Sequence, residues 1–209
     1  MNTIGTERKS EWEIGTIQDF SSKNYYFLPE LNQHCEQLRE FYSYFKQHKN
    51  EIPHVKRPYA YLFHKDVLGI DMGDMFSDMI RFIYTNRQIP KLGPHIDSSV
   101  EGLVPGVINF PILNCDNNST TSWWKIVNGE PEKVLNAGGE KSGSANYTYN
   151  CKNCEIELEE SISFQNDQVH LFNTSQWHSV DNNSRKTRMV FSFLFKSGLT
   201  WEEIVKEYS

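Results

Sequence analysis

His95 and Asp97 stand one residue apart in the stretch GPHID at 93–97. On an extended chain that spacing turns both side chains to one face, so an imidazole and a carboxylate can reach the same ion. A metal site built from two histidines and one carboxylate needs a further imidazole, supplied by a strand lying beside the first pair. His178, in NTSQWHSVDNNSRKTRMVFSF, comes late enough in the chain to supply it, and Arg188 follows ten residues later at the head of the last strong apolar run. The sequence carries its own decoy, because His64 and Asp66 in HKD have the same spacing. At this composition a chance His-x-Asp is expected in roughly a third of such chains, so the motif alone decides nothing. Position decides: the decoy precedes the strand-rich part of the chain and reads as a solvated turn. Cys151-x-x-Cys154 has the spacing of half a zinc site, but structural zinc uses four ligands at paired spacings and no second pair is present.

The elements that must position these residues are legible as two unequal parts. PELNQHCEQLREFYSYFKQH at 29–48 sets Leu31, Cys35, Leu38, Phe41, Tyr42 and Phe45 at helical spacing, with Pro29 suited to a first turn. It is expected to form an amphipathic helix that buttresses the rest. MFSDMIRFIYTN at 75–86 reads as a helical turn feeding a strand. From about residue 79 onward come short β-rich runs, namely IRFIYTN, GVINFPIL, SWWKIV, CEIELEESISF, QVHLFN and RMVFSFLF, separated by Gly, Asn, Ser and Pro. The expected fold is mainly β, an antiparallel sandwich or jelly roll. NAGGEKSGSAN at 136–146 is expected to be a mobile loop over the pocket mouth, and LTWEEIVKEYS a short C-terminal helix opening at a Thr cap. Trp123 and Trp124 point to opposite faces of one strand, so at most one lines a pocket. His170 alternates with Val169 and Leu171 and reads as a plain strand residue, while His34, His48 and His54 read as structural or exposed.

His95-x-Asp97, a distant His178 and Arg188 ten residues on resemble the iron(II)- and 2-oxoglutarate-dependent oxygenases. INFPILNCDNNSTTSWW and LFNTSQWHSVDNNSRKTRMVFSFLF are similar to a branch of that superfamily found in bacteria and tailed phages, akin to the prolyl and aspartyl/asparaginyl hydroxylases. The resemblance spans roughly residues 79–196. It implies one oxygenase domain over 1–209, made of a helical or irregular extension at 1–78, a double-stranded β-helix core at 79–196 and a helix at 197–209. It implies Fe(II) held by His95, Asp97 and His178, with 2-oxoglutarate and O2 as cosubstrates and Arg188 pairing with the far carboxylate of 2-oxoglutarate. A bidentate guanidinium that stays charged when buried suits that pairing. Members often carry Ser two residues after the Arg, where this chain has Val190. Ser192 or Tyr84 are candidates to replace it, and Asn109 is a further candidate for the cosubstrate pocket. The implied reaction is hydroxylation of an unactivated C–H bond with release of succinate and CO2.

Two other classes fit the same residues. One is a cupin-like metal-binding jelly roll, an isomerase or sugar-binding protein, in which Arg188 is a surface strand residue. The other is an inert module in which His95 and His178 are satisfied core groups. Composition excludes more. The 209 residues carry 21 Lys and Arg against 27 Asp and Glu, a formal charge of -6, and no basic run. General nucleic-acid binding is not expected of such a chain. No apolar stretch approaches the length of a membrane span and the N-terminus lacks an apolar signal region. The expectation is a cytoplasmic protein, in a host cytoplasm if phage-encoded, with its four cysteines reduced and a peptide, amino acid or small metabolite as substrate.

Overall fold

The computed structural model describes residues 23–47, 59–63, 73–85, 93–99, 102–135, 147–150, 153–184 and 186–208. Thirteen strands follow in chain order: β1 (Tyr25–Phe27), β2 (Tyr59–Phe63), β3 (Phe76–Thr85), β4 (Ser98–Ser99), β5 (Gly102–Leu103), β6 (Gly106–Leu113), β7 (Ser119–Asn128), β8 (Glu132–Leu135), β9 (Tyr147–Asn150), β10 (Glu155–Ile162), β11 (His170–Asn173), β12 (His178–Asn182) and β13 (Arg188–Phe195). A 3-10 turn at Pro29–His34 runs into helix α1 (Cys35–Gln47), and helix α2 (Trp201–Glu207) closes the described chain.

Two antiparallel sheets face each other. The larger has the order β1-β11-β6-β13-β3-β2 and the smaller β10-β7-β12. Among the described residues the fold is mainly β and jelly-roll-like, and apart from β2 and β3 the neighbours in these two sheets are not consecutive strands. The larger sheet is covered on both sides, which explains why β6 and β13 read as nearly unbroken apolar runs. Met189, Phe191, Phe193 and Phe195 pack outward with Leu31, Cys35, Leu38 and Phe41 of the helical segment and with Ile108, Phe110 and Ile112 of β6. The alternate residues face inward. Leu194 of β13, Val107 of β6 and Phe172 of β11 meet Trp123 of β7 and Phe164 in a second cluster between the sheets.

The helices are fixed by specific bonds. Arg39 of α1 pairs with Asp167, and the backbone N–H of Val169 donates to Asn32 Oδ1 at 2.9 Å. Thr200 caps α2 with a full capping box: its hydroxyl accepts from the Glu203 N–H, and Glu203 accepts from the Thr200 N–H. Trp201 and Ile204 then bury against the outer core.

Three elements differ from the sequence reading. The region before residue 79 is not only helical, since β1 and β2 form both edges of the larger sheet. Residues 76–85 are strand throughout, without a helical turn, because pairing with β13 and β2 on both flanks satisfies their backbone. The expected helix at 29–48 opens as a 3-10 turn before becoming α-helical. No helix among the described residues is long and apolar enough to cross a membrane. His48, His54, the decoy at His64 and Asp66, the loop at 136–146 and Cys151 lie outside the described residues.

Candidate metal centre

His178 is the first residue of β12 and pairs across the smaller sheet with Trp123. On its other edge it pairs with His95: each donates its backbone N–H to the other's carbonyl, at 2.9 and 3.0 Å. Asp97 continues the same stitching, donating its N–H to the Thr174 carbonyl at 3.2 Å and accepting from the Val104 N–H at 3.1 Å. The segment 93–97 therefore lies along residues 174–178, where the chain enters β12, and the β4–β5 hairpin turns immediately after it. Backbone pairing, rather than side-chain packing, sets the two histidines side by side.

Three side chains converge there. Ligand atoms of His95, Asp97 and His178 all lie within 4.8 Å of one another. Asp97 Oδ1 is 3.5 Å from His95 Nε2 and 3.9 Å from His178 Nε2, and the two rings stand 4.5 Å apart at 49°. Both Nδ1 atoms are committed elsewhere: His95 Nδ1 is 2.9 Å from the Gly93 carbonyl and His178 Nδ1 is 2.9 Å from the Gln176 carbonyl. A carbonyl oxygen only accepts, so each Nδ1 carries a proton, and a neutral ring would present its lone pair at Nε2. That is the tautomer a metal-binding imidazole needs, held by the kind of outer hydrogen bond that orients such ligands. Phe172 packs edge-on against His178 at 5.2 Å, giving the rung a dry inner wall.

Of the other expected residues, Arg188, Asn109 and Ser192 lie on the inward face of the larger sheet. Arg188 opens β13, is buried, and its Nε finds no hydrogen-bond partner. The Cys115 thiol is one neighbour: burial raises its pKa while the Arg188 charge opposes that rise. Ser192 lies four residues along the same strand, buried, with its hydroxyl donating to Asn109 Oδ1. Tyr84 is in register with Met189, and of it only the backbone is described. Val190 is buried on β13 and offers no hydroxyl. Trp123 is buried inside, whereas Trp124 lies outward with its Nε1–H donating to Ser179 Oγ at 2.9 Å. Cys35, Cys115 and Cys154 are free thiols.

His170 is a strand residue, the first of β11. It is fully buried, its ring lies flat on Phe164 with centroids 3.5 Å apart, and its Nε2 faces the Asn109 amide at 3.4 Å. Burial pushes its pKa down to about 3, with the Arg188 charge acting in the same direction and its bond to the Gln168 carbonyl opposing. The available sequence signal was a polar residue in the middle of each of three apolar runs, His170 in VHLF, Asn109 in INF and Ser192 in FSF.

Neither a protein-family model nor a curated protein matches the chain. Among solved structures the chain is similar to the non-heme alpha-ketoglutarate-dependent carbocyclase SnoK from nogalamycin biosynthesis, at 10% identity over 87% of this chain and 86% of that one, with a TM-score of 0.46. It is also similar to hydroquinone 1,2-dioxygenase PnpCD in complex with Cd2+ and 4-hydroxybenzonitrile, at 8% identity over 92% and 89%, with a TM-score of 0.35.

Proposed function

We propose that this chain is an iron(II)- and 2-oxoglutarate-dependent oxygenase with a double-stranded β-helix core, hydroxylating an unactivated C–H bond of a peptide, amino acid or small metabolite. The donor set fits the metal. Two imidazoles and one carboxylate on one side of an ion leave the remaining positions open, the arrangement used by non-heme iron(II) oxygenases. The same donors also suit zinc. What favours the oxygenase is the combination of this triad with Arg188, a buried guanidinium whose Nε has no partner. A buried donor left unsatisfied on a charged group is costly, so an anionic ligand would complement it.

Each residue then has a defined task. His95, Asp97 and His178 hold the metal, with the Gly93 and Gln176 carbonyls keeping both rings in the binding tautomer. Arg188 binds the distal carboxylate of 2-oxoglutarate through a bidentate fork. Phe172 and Trp123 exclude water beside the triad. Iron(II), 2-oxoglutarate and O2 together supply the oxidising power, with succinate and CO2 as co-products. The test is succinate formation by the purified protein with Fe(II), 2-oxoglutarate and O2. Formation that depends on both iron and Arg188 supports the reading, and a protein that binds iron without consuming 2-oxoglutarate is instead a cupin-like metal protein.

A further inference from the structure

Between the sheets, apart from the triad, a polar row crosses three neighbouring strands. His170 on β11 is in register with Asn109 on β6, and Asn109 with Ser192 on β13. All three are buried, and their hydrogen bonds run in one direction. His170 Nδ1 lies 3.0 Å from the Gln168 carbonyl, which can only accept, so Nδ1 carries the proton and Nε2 is an acceptor. Asn109 must then present its Nδ2–H to that nitrogen, 3.4 Å away, and its Oδ1 to the Ser192 hydroxyl. A flipped amide would set Oδ1 against the His170 lone pair, oxygen against nitrogen with no proton between them. One backbone carbonyl thus fixes the orientation of the whole row.

That orientation decides what the row offers a ligand. The Asn109 amide nitrogen has two hydrogens, and the bond to His170 uses one. Ser192 has directed its proton to Asn109 and can act toward a ligand only as an acceptor. Toward an anion, therefore, the useful group is the second N–H of Asn109, not the Ser192 hydroxyl. The Arg188 charge is felt at His170, so the guanidinium and the row share one electrostatic environment. Arg188 and Ser192 also lie on the same alternation of β13 as Leu194, which faces inward.

We propose that His170 is a positioning residue, holding Asn109 as an N–H donor to the carboxylate that Arg188 binds. This rests on the oxygenase reading and makes Asn109 the replacement for the hydroxyl absent at Val190. A histidine present only to fill the core would affect stability and leave cosubstrate affinity alone.

The experiment is anaerobic calorimetric titration of 2-oxoglutarate into the Mn(II)-loaded protein, which reads affinity without turnover. The variants are Asn109→Ala, His170→Phe, the double variant, His170→Gln and Arg188→Ala. His170→Phe keeps an aromatic ring on Phe164 but removes the acceptor. Each single change at 109 and 170 should weaken 2-oxoglutarate about 2- to 10-fold, the range of one hydrogen bond. The double variant should be no weaker than Asn109→Ala, because both changes remove one interaction. Mn(II) affinity should be unchanged. His170→Gln, whose side-chain oxygen can accept the same N–H, should recover most of the affinity, and it carries the test if the Phe variant does not fold. Unaltered 2-oxoglutarate affinity in His170→Phe, or losses that add in the double variant, overturns the positioning role while a large Arg188→Ala effect leaves the oxygenase reading standing. Unaltered affinity in Arg188→Ala overturns that reading and this proposal with it.

Discussion

His95, His170 and His178 are each tied through Nδ1 to the carbonyl two residues upstream, at 2.9, 3.0 and 2.9 Å. Locally the three are alike: one proton on Nδ1, one lone pair on Nε2. They differ in what the lone pair meets. At the rung between β12 and residues 93–97 both Nε2 atoms turn toward the carboxylate of Asp97, an arrangement that could hold a cation. Inside the barrel the lone pair of His170 meets an amide N–H and is already satisfied. The same backbone device therefore presents a candidate metal ligand in one place and a hydrogen-bonded acceptor in the other, and the partner strand decides which.

The largest expected effect breaks the first half of this contrast. Asp97→Ala or His178→Ala leaves two ligands of three, and metal affinity measured by anaerobic titration should fall by more than about 100-fold, beyond what loss of an outer-shell partner costs. His64→Ala and Asp66→Ala should leave it intact. Loss of metal in those decoy variants would move the site. Next is Arg188→Ala, which should retain the metal but weaken 2-oxoglutarate by roughly 10- to 100-fold, the size of a charge-assisted pair, with Lys restoring only part because it lacks the fork.

The third prediction separates the histidines by pH. His170 titrates at about 3 in the folded protein, against an ordinary value of 6.5. Between those values the unfolded chain binds the extra proton and the folded chain does not, so this group's contribution to stability falls as pH drops from about 6.5 toward 3. The slope is at most about 1.4 kcal/mol per pH unit. Urea unfolding of metal-free protein at several pH values should show that acid limb, and His170→Phe should flatten it. A limb unchanged in the variant would mean that other groups produce it. The smallest effect is expected of Ser192→Ala: its hydroxyl bonds Asn109 rather than a ligand, so 2-oxoglutarate affinity should change by no more than about 5-fold, within one neutral hydrogen bond. A loss as large as that of Arg188→Ala would make Ser192 a direct ligand contact.

How much of this could be read from the chain depends on what covers each element. β6 and β13 were legible to the residue because both faces of the larger sheet are buried, which writes an apolar run into the sequence. The capped helix α2 was legible because its signal is local. β12, with the sequence HSVDN, was not, since a strand of mostly polar side chains lacks any apolar alternation. β1 was hidden by its length of three residues, and β2 and the first residues of β3 by pairings that only the assembled sheet supplies. The spacing of His95 and Asp97 announced the triad. For His170 alternation showed that it points away from one core layer, and in a strand covered on both faces that direction leads into the other layer.

The most direct test of the central claim is the visible absorption of the anaerobic protein with Fe(II) as 2-oxoglutarate is added. The account predicts a charge-transfer band that grows to saturation at one equivalent, is absent in Asp97→Ala, and requires a much higher 2-oxoglutarate concentration in Arg188→Ala. Iron bound by His95, Asp97 and His178 with no band at any 2-oxoglutarate concentration would contradict it and leave a metal-binding jelly roll of another chemistry.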